Sequence, residues 1–185
     1  MTDDPILPTQ PVATAPLLRR THTKLSFAPD VAARAVIAAA LDLIALPGFR
    51  FEAEAAPSGK RDLLVSGRIT ARVVQPCSVT LVPVETRIDE PVVRRYLAEY
   101  QEPDGTEVEM PEDDTTDPLT ESLDLAAVAI EALALALPLY PRAPGADLGE
   151  AVFAPPGAAP LRDTDLRPFA GLAALVAKTG PESDA

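Results

Sequence analysis

Residues 63–73 read Leu63-Leu64-Val65-Ser66-Gly67-Arg68-Ile69-Thr70-Ala71-Arg72-Val73, and their period decides the fold. Leu63, Val65, Gly67, Ile69, Ala71 and Val73 occupy one phase, while Ser66, Arg68, Thr70 and Arg72 occupy the other. A helix needs a period of 3.6 residues; a period of two puts the two sets on opposite faces of a strand. One apolar face and one charged face describe an antiparallel sheet that is covered on one side and wet on the other.

The same period extends towards the N-terminus. Phe49, Phe51, Ala53 and Ala55 alternate with Arg50, Glu52 and Glu54, and Pro57-Ser58-Gly59-Lys60 reads as the turn between the two strands. Thr23-Lys24-Leu25-Ser26-Phe27 supplies a short first strand. Towards the C-terminus Gln75-Pro76-Cys77 interrupts the pattern, and a further strand is expected from Ser78 to about Asp89. Its phase slips beside Pro83, which predicts a bulge there, because proline cannot donate to a ladder. Residues 92–100 fit either an extended segment or a helical stripe of Val93, Leu97 and Tyr100.

Two helices flank the alternating segments. Residues 28–46 carry Asp30 as an N-cap or first-turn acid, a stripe of Ile37, Leu41 and Ile44, and Pro47-Gly48 as a stop. Asp124 caps a second helix over 125–137, ended by Pro138 and apolar on almost every side, so it is expected to be buried. Residues 139–163 are expected to hold little regular structure, and a short last helix over 166–177 carries Phe169, Leu172 and Val176 on one face. Residues 1–16 and 178–185 read as disordered tails, and residues 101–120 as a solvated acidic loop. The fold class is therefore α+β: an antiparallel sheet of about four strands, with a helix before it and a largely buried helix after it, in a single domain over 17–177.

Charge is segregated along the chain. Residues 96–141 contain 12 acids and no Lys, Arg or His, and the rest of the chain has 16 acids against 16 bases, so this window carries the whole net charge of −12. A local negative field attracts basic partners and repels bare nucleic acid. Glu112, Asp113, Asp114 and Asp117, near the centre of the window, are candidate partner-binding residues; a plain solvated charge run is the other reading. Arg68 and Arg72 lie four apart on one strand, about 13 Å along one sheet face, with Arg87 following in sequence. All three are candidates for RNA phosphates. Ion pairs with Glu52, Glu54 or Glu85 are an equally good account, and no aromatic residues are interleaved to stack bases.

Reactive chemistry finds few residues to use. Cys77 and His22 are the lone Cys and His, whereas a structural zinc site needs about four such ligands. The chain has no G-x-G-x-x-G and no G-x-x-x-x-G-K-[ST]. No catalytic residue, metal or cofactor is expected, and the chain reads as a non-enzyme. Cys77 at a strand junction reads as a small buried filler. A single cysteine, an acidic N-terminus unlike a signal peptide, and a longest apolar run over 132–140, against about 20 residues for a membrane span, lead to the expectation of a cytoplasmic protein.

Two segments carry a family resemblance. The first runs from Gly67 through Ala71, Val73, Gln75, Cys77, Val79, Thr80 and Leu81; the second is Asp124-Leu125, then Glu131, Leu133, Leu135 and Leu137, then Tyr140-Pro141-Arg142. In this order, with an acidic insert between them, they resemble the YceD family of large ribosomal RNA subunit accumulation proteins over roughly residues 17–175. The helix near the N-terminus looks like the family's alphaproteobacterial branch. Gly67, Gln75, Cys77, Thr80, Asp124, Glu131, Tyr140, Pro141 and Arg142 are the motif residues. The chain departs from common family forms at Val82 (often a carboxylate), at Thr80 (often a second Cys) and at Asp124-Leu125-Ala126-Ala127 (commonly D-L-G-E).

The resemblance implies support for the synthesis, processing or stability of the large-subunit ribosomal RNA, without catalysis. The expected partner is that RNA, a basic ribosomal protein, or both. The alternative is a direct RNA-binding module whose acidic loop is a spacer or a phosphate mimic. Neither reading includes a membrane or a small-molecule substrate.

Overall fold

The computed structural model describes residues 6–100, 115–149 and 154. The chain divides into two units, Met1–Ala146 and Asp147–Ala185. In the second unit Gly149 takes a positive φ of 60° and its N–H donates to Asp147 Oδ1 at 3.0 Å. The first unit holds all the regular elements described below.

Among the described residues its main sheet has five strands, against the four or so expected. They are β2 (Thr23–Phe27), β3 (Ala45–Ser58), β4 (Asp62–Pro76), β5 (Pro83–Leu97) and β6 (Thr116–Pro118), ordered β2-β3-β4-β5-β6. β2 to β5 are antiparallel to their neighbours, and β6 runs parallel to β5. A separate two-stranded sheet joins β1 (Pro11–Ala13) to β7 (Ser122–Asp124). The helices are α1 (Thr14–Leu17), α2 (Val31–Ala40) and α3 (Leu125–Ala136). The α+β class and the mainly antiparallel sheet agree with the sequence pattern.

The alternation sorts the strands as expected. Phe51, Ala55, Leu63, Val65, Ile69 and Val73 are almost wholly buried on one face, while Arg50, Glu52, Arg68, Thr70 and Arg72 are exposed on the other. Burying each large apolar side chain contributes about 1.5–3 kcal/mol. Phe27 and Phe49 add an edge-to-face contact, their ring centroids 5.9 Å apart at 86°. α3 packs against β2, β4 and β5 and buries seven of its residues, including Leu125, Ile130 and Leu133. Its Leu135 remains exposed.

Glycine is required at one place in β4. A Cβ at Gly67 would lie 2.4 Å from the Glu52 carbonyl oxygen and 2.7 Å from Ala53 Cα. The neighbouring β3 backbone therefore approaches β4 here at a distance only glycine permits.

Several boundaries differ from the sequence expectation. α2 lies between β2 and β3 rather than ahead of the sheet, and it ends at Ala40, beyond which Asp42 adopts a φ of 52°. Asp30 caps it as expected, accepting from the Ala33 N–H at 2.8 Å. Ile44 falls outside the helix and is half exposed, although the stripe placed it in the core. Pro47-Gly48 does not stop a helix; it sits where the β3–β4 register shifts between Ala45 and Gly48, which is a bulge.

The strand expected from Ser78 begins instead at Pro83, as a first residue that needs no ladder N–H. Residues 77–82 form the connection, with Leu81 at a φ of 61°, so the slip seen in sequence marks the strand's start and no bulge occurs there. The ambiguous residues after Pro91 continue β5 as far as Leu97.

Residues 6–16, expected to lack structure, contain β1 and most of α1. The reason is non-local. Pro11, Val12 and Ala13 pair with Asp124, Leu123 and Ser122, and the Thr14 hydroxyl donates to Thr120 and Glu121 carbonyls. The expected helix over 166–177, the tail over 178–185 and residues 101–114 of the expected acidic loop lie outside the described residues; residues 116–118 of that loop are not a loop but form β6, held by its pairing with Arg95, Tyr96 and Leu97 of β5.

Candidate functional site

The motif residues converge on the joints of the fold. Cys77 is fully buried at the end of β4, and its Sγ accepts from three backbone N–H groups, Ala143 at 3.3 Å, Thr80 at 3.4 Å and Val79 at 3.5 Å. These donors hold the thiol down from its usual value near 9 to about 6, with the Ala143 N–H the largest cause and the Thr80 side chain next. Two further bonds tie the same segments together. The Ser78 N–H donates to the Pro141 carbonyl at 2.8 Å, and Gln75 Nε2 donates to the Pro138 carbonyl at 3.3 Å. The end of β4 is thereby fastened to the chain leaving α3.

Asp124 works at the other end of α3. Its Oδ1 accepts from the N–H groups of Ala126 (2.9 Å), Ala127 (3.3 Å) and Gln10 (2.8 Å). One carboxylate thus caps the helix and holds the chain entering β1. Glu131 Oε1 pairs with Arg94 Nη2 at 2.5 Å, docking the middle of α3 onto β5. Arg94 is only 11 % exposed in its side chain, so this contact is shielded on one side. Tyr140, Arg142 and Thr80 are exposed. Among the described residues, Gly67, Gln75, Cys77, Asp124, Glu131 and Pro141 act in the architecture.

The solvent face of the sheet is arranged differently. Arg68 Nη1 lies 2.5 Å from Asp89 Oδ1 and also donates to the Asp89 carbonyl at 3.3 Å. That hydrogen bond, followed by the carboxylate's charge, raises the Arg68 pKa. Its partner is Asp89, diagonal to it across the β4–β5 pairing, and not Glu54 or Glu85; Glu52, directly opposite Arg68 on β3, pairs with Arg50 instead. Arg50 pairs with Glu52 at 3.3 Å.

Arg72 and Arg87 stand directly opposite each other on β4 and β5, and neither has an ion pair or hydrogen bond among the described residues. Like charges in this position cost a few tenths to about 1 kcal/mol. On the other side of Arg72 the cross-strand residue is Gly48, which offers no side chain. A concavity of about 540 Å³ opens there, lined by four arginines (Arg34, Arg50, Arg72 and Arg87) and by the single carboxylate Asp89. Arg34 serves the frame, donating to the Leu46 and Pro29 carbonyls at 3.1 and 2.9 Å. Arg68, Arg72 and Arg87 therefore share one face, and sequence alone did not reveal that two of them oppose each other.

The acidic candidates do not join this face. Asp117 lies on β6, in register with Tyr96 at the far end of β5, about 30 Å along the strand from Arg87. Burial, and then the charge of Asp117, pushes the Tyr96 hydroxyl up to about 12. Glu112, Asp113 and Asp114 lie outside the described residues. His22 pairs with Glu54, which is in register with Ser66, while Cys77 is about 36 Å further along β4, so Cys and His are not brought together. Among the described residues no group of three or more His, Cys, Asp or Glu is placed to hold a metal ion, and no helix is long and apolar enough to cross a membrane.

These features define an α+β scaffold whose signature residues fasten its elements and whose open sheet face carries uncompensated arginines. The sequence model of the family "Large ribosomal RNA subunit accumulation protein YceD" matches residues 65–176, more than half of the chain, and the chain belongs to this family. The family name implies a role in accumulation of the large ribosomal subunit RNA. No curated protein sequence and no solved structure matches the chain.

Proposed function

We propose that this protein is a non-catalytic ribosome-biogenesis factor that supports large-subunit rRNA synthesis, processing or stability by binding a large-subunit assembly component. The observation that carries the reading is charge segregation: all of the net charge of −12 sits in residues 96–141, while the sheet face holds the unneutralised Arg72 and Arg87. The acidic window, with Glu112, Asp113, Asp114 and Asp117, holds a basic ribosomal protein, and the arginine face is turned to RNA. The work is done in the cytoplasm, where ribosomes assemble, and it uses no cofactor. Attraction between exposed charges weakens steeply with salt. Tagged protein should therefore enrich large-subunit proteins or their RNA from lysate at low salt and lose them at moderate salt. Failure to enrich either at both salts counts against the reading.

The pairing of Arg72 with Arg87 favours a second reading, direct RNA binding with the acidic loop as a spacer or a phosphate mimic. Deleting residues 102–117 separates the two. The first reading predicts loss of a protein partner, a spacer predicts no change, and a mimic predicts stronger RNA binding.

A further inference from the structure

We infer that the concavity around Arg72 and Arg87 is an anion site for the sugar–phosphate backbone of double-helical RNA, read without regard to sequence. This deepens the proposed role in large-subunit rRNA accumulation and rests on it. Three observations carry the inference. Arg72 and Arg87 face each other across the β4–β5 ladder with no carboxylate between them, so an anion seated there removes a repulsion and accepts from two guanidinium forks at once. Gly48 keeps the third side of the site open: the nearest atom to a Cβ built there is Arg72 Nε, at 3.8 Å. Of the four arginines lining the concavity, Arg50 pairs with Glu52 and Arg34 donates to backbone carbonyls, and the one lining carboxylate, Asp89, is engaged by Arg68, so Arg72 and Arg87 carry the excess charge. A local positive field thus persists on a chain whose net charge is −12.

The form of the RNA follows from what the face lacks. Its solvent-facing positions on β3, β4 and β5 are occupied by residues such as Arg50, Glu52, Ser66, Arg68, Thr70 and Val93, with no aromatic ring among them. Single-stranded RNA is gripped by stacking its bases on such rings, which this face cannot do. A duplex presents phosphates with its bases turned inward, and guanidinium groups in a shallow open site suit that surface.

The test is fluorescence anisotropy with the full chain and a labelled mixed-sequence RNA duplex of about 20 base pairs, from about 50 to about 200 mM salt. A single strand of the same length serves as comparison. The wild-type chain should bind the duplex more tightly than the single strand. Arg72→Gln/Arg87→Gln should weaken duplex binding about 10-fold or more at the lowest salt and make the slope of log K against log salt shallower by about 2. Gly48→Glu, which leaves both arginines in place but sets a carboxylate beside Arg72, should weaken it similarly. Circular dichroism melts check that each variant folds.

No duplex binding by the wild type, unchanged binding by both variants, or equal binding and equal loss with the single strand overturns the inference. If the double-glutamine variant fails on duplex but wild type and variant capture large-subunit components alike, the anion site stands and the captured components are held elsewhere. If the wild type captures none at either salt, the broader proposed function falls, whatever the duplex measurement gives.

Discussion

The joint between β4 and the chain after α3 and the solvent face of the same sheet use polar residues in opposite ways. At the joint most polar groups are matched from within the chain, Gln75 Oε1 being buried without a partner: Cys77 Sγ takes three N–H groups, the Ser78 N–H meets the Pro141 carbonyl, and Asp124 takes three more N–H groups at the start of α3. On the open face Arg72 and Arg87 are set against each other and left without partners among the described residues. Polar groups whose hydrogen bonds are filled from within the chain hold the fold and have little left to offer a partner. Charges held in an unfavourable arrangement on a rigid sheet contribute nothing to stability and are available for binding. Residues that identify the family and residues that contact its partner therefore need not coincide.

The contrast can be broken most severely at Gly67. Gly67→Val must displace the β3 backbone at Glu52 and Ala53, and should cost about 3 kcal/mol, read as a lower urea midpoint with an unchanged m-value. Asp124→Ala removes a helix cap and the anchor of the Gln10 N–H together, and should cost about 2 kcal/mol in the same measurement. A loss no larger than that of an exposed alanine substitution would show that the cap is not a joint.

The Cys77 latch makes a prediction in pH. The folded thiol sits near 6 and the unfolded one near 9, so between these values the unfolded chain binds more protons and stability rises with pH. The contribution is complete above about pH 9 and is lost as pH falls through about 6. Cys77→Ala should flatten this rise in a series of urea melts; an unaltered pH profile would remove the thiolate from the latch. The smallest effect is expected on the open face. Arg72→Gln should leave stability within about 0.5 kcal/mol of wild type, because it deletes a repulsion and breaks no bond. A large loss there would mean that the face belongs to the frame after all.

Much of the frame was legible because its signals are local. The period of two in 63–73 and 49–55 assigned both strands and both faces, since successive side chains on a strand must alternate. Asp30 and Asp124 were legible as caps because a cap acts within three residues of itself. The errors fell where a distant element decides. Pro11–Ala13 has no period of its own and is a strand only because Ser122–Asp124 pairs with it. Ile44 left the predicted helical stripe because the chain turns at Asp42 to enter β3. The candidate site divides in the same way. Residue type and spacing single out Arg68, Arg72 and Arg87, yet Arg68 is engaged by Asp89, a partner that sequence spacing does not suggest.

The order of residues alone fixed a half-wet antiparallel sheet, two capped helices and a segregated negative window, because each depends on neighbours a few positions apart. Only the folded chain decided that Cys77 meets Ala143, that Gly67 lies against Glu52, and that Arg72 faces Arg87 beside an empty Gly48. Those contacts depend on strand register, and register is set by the whole sheet closing on its core.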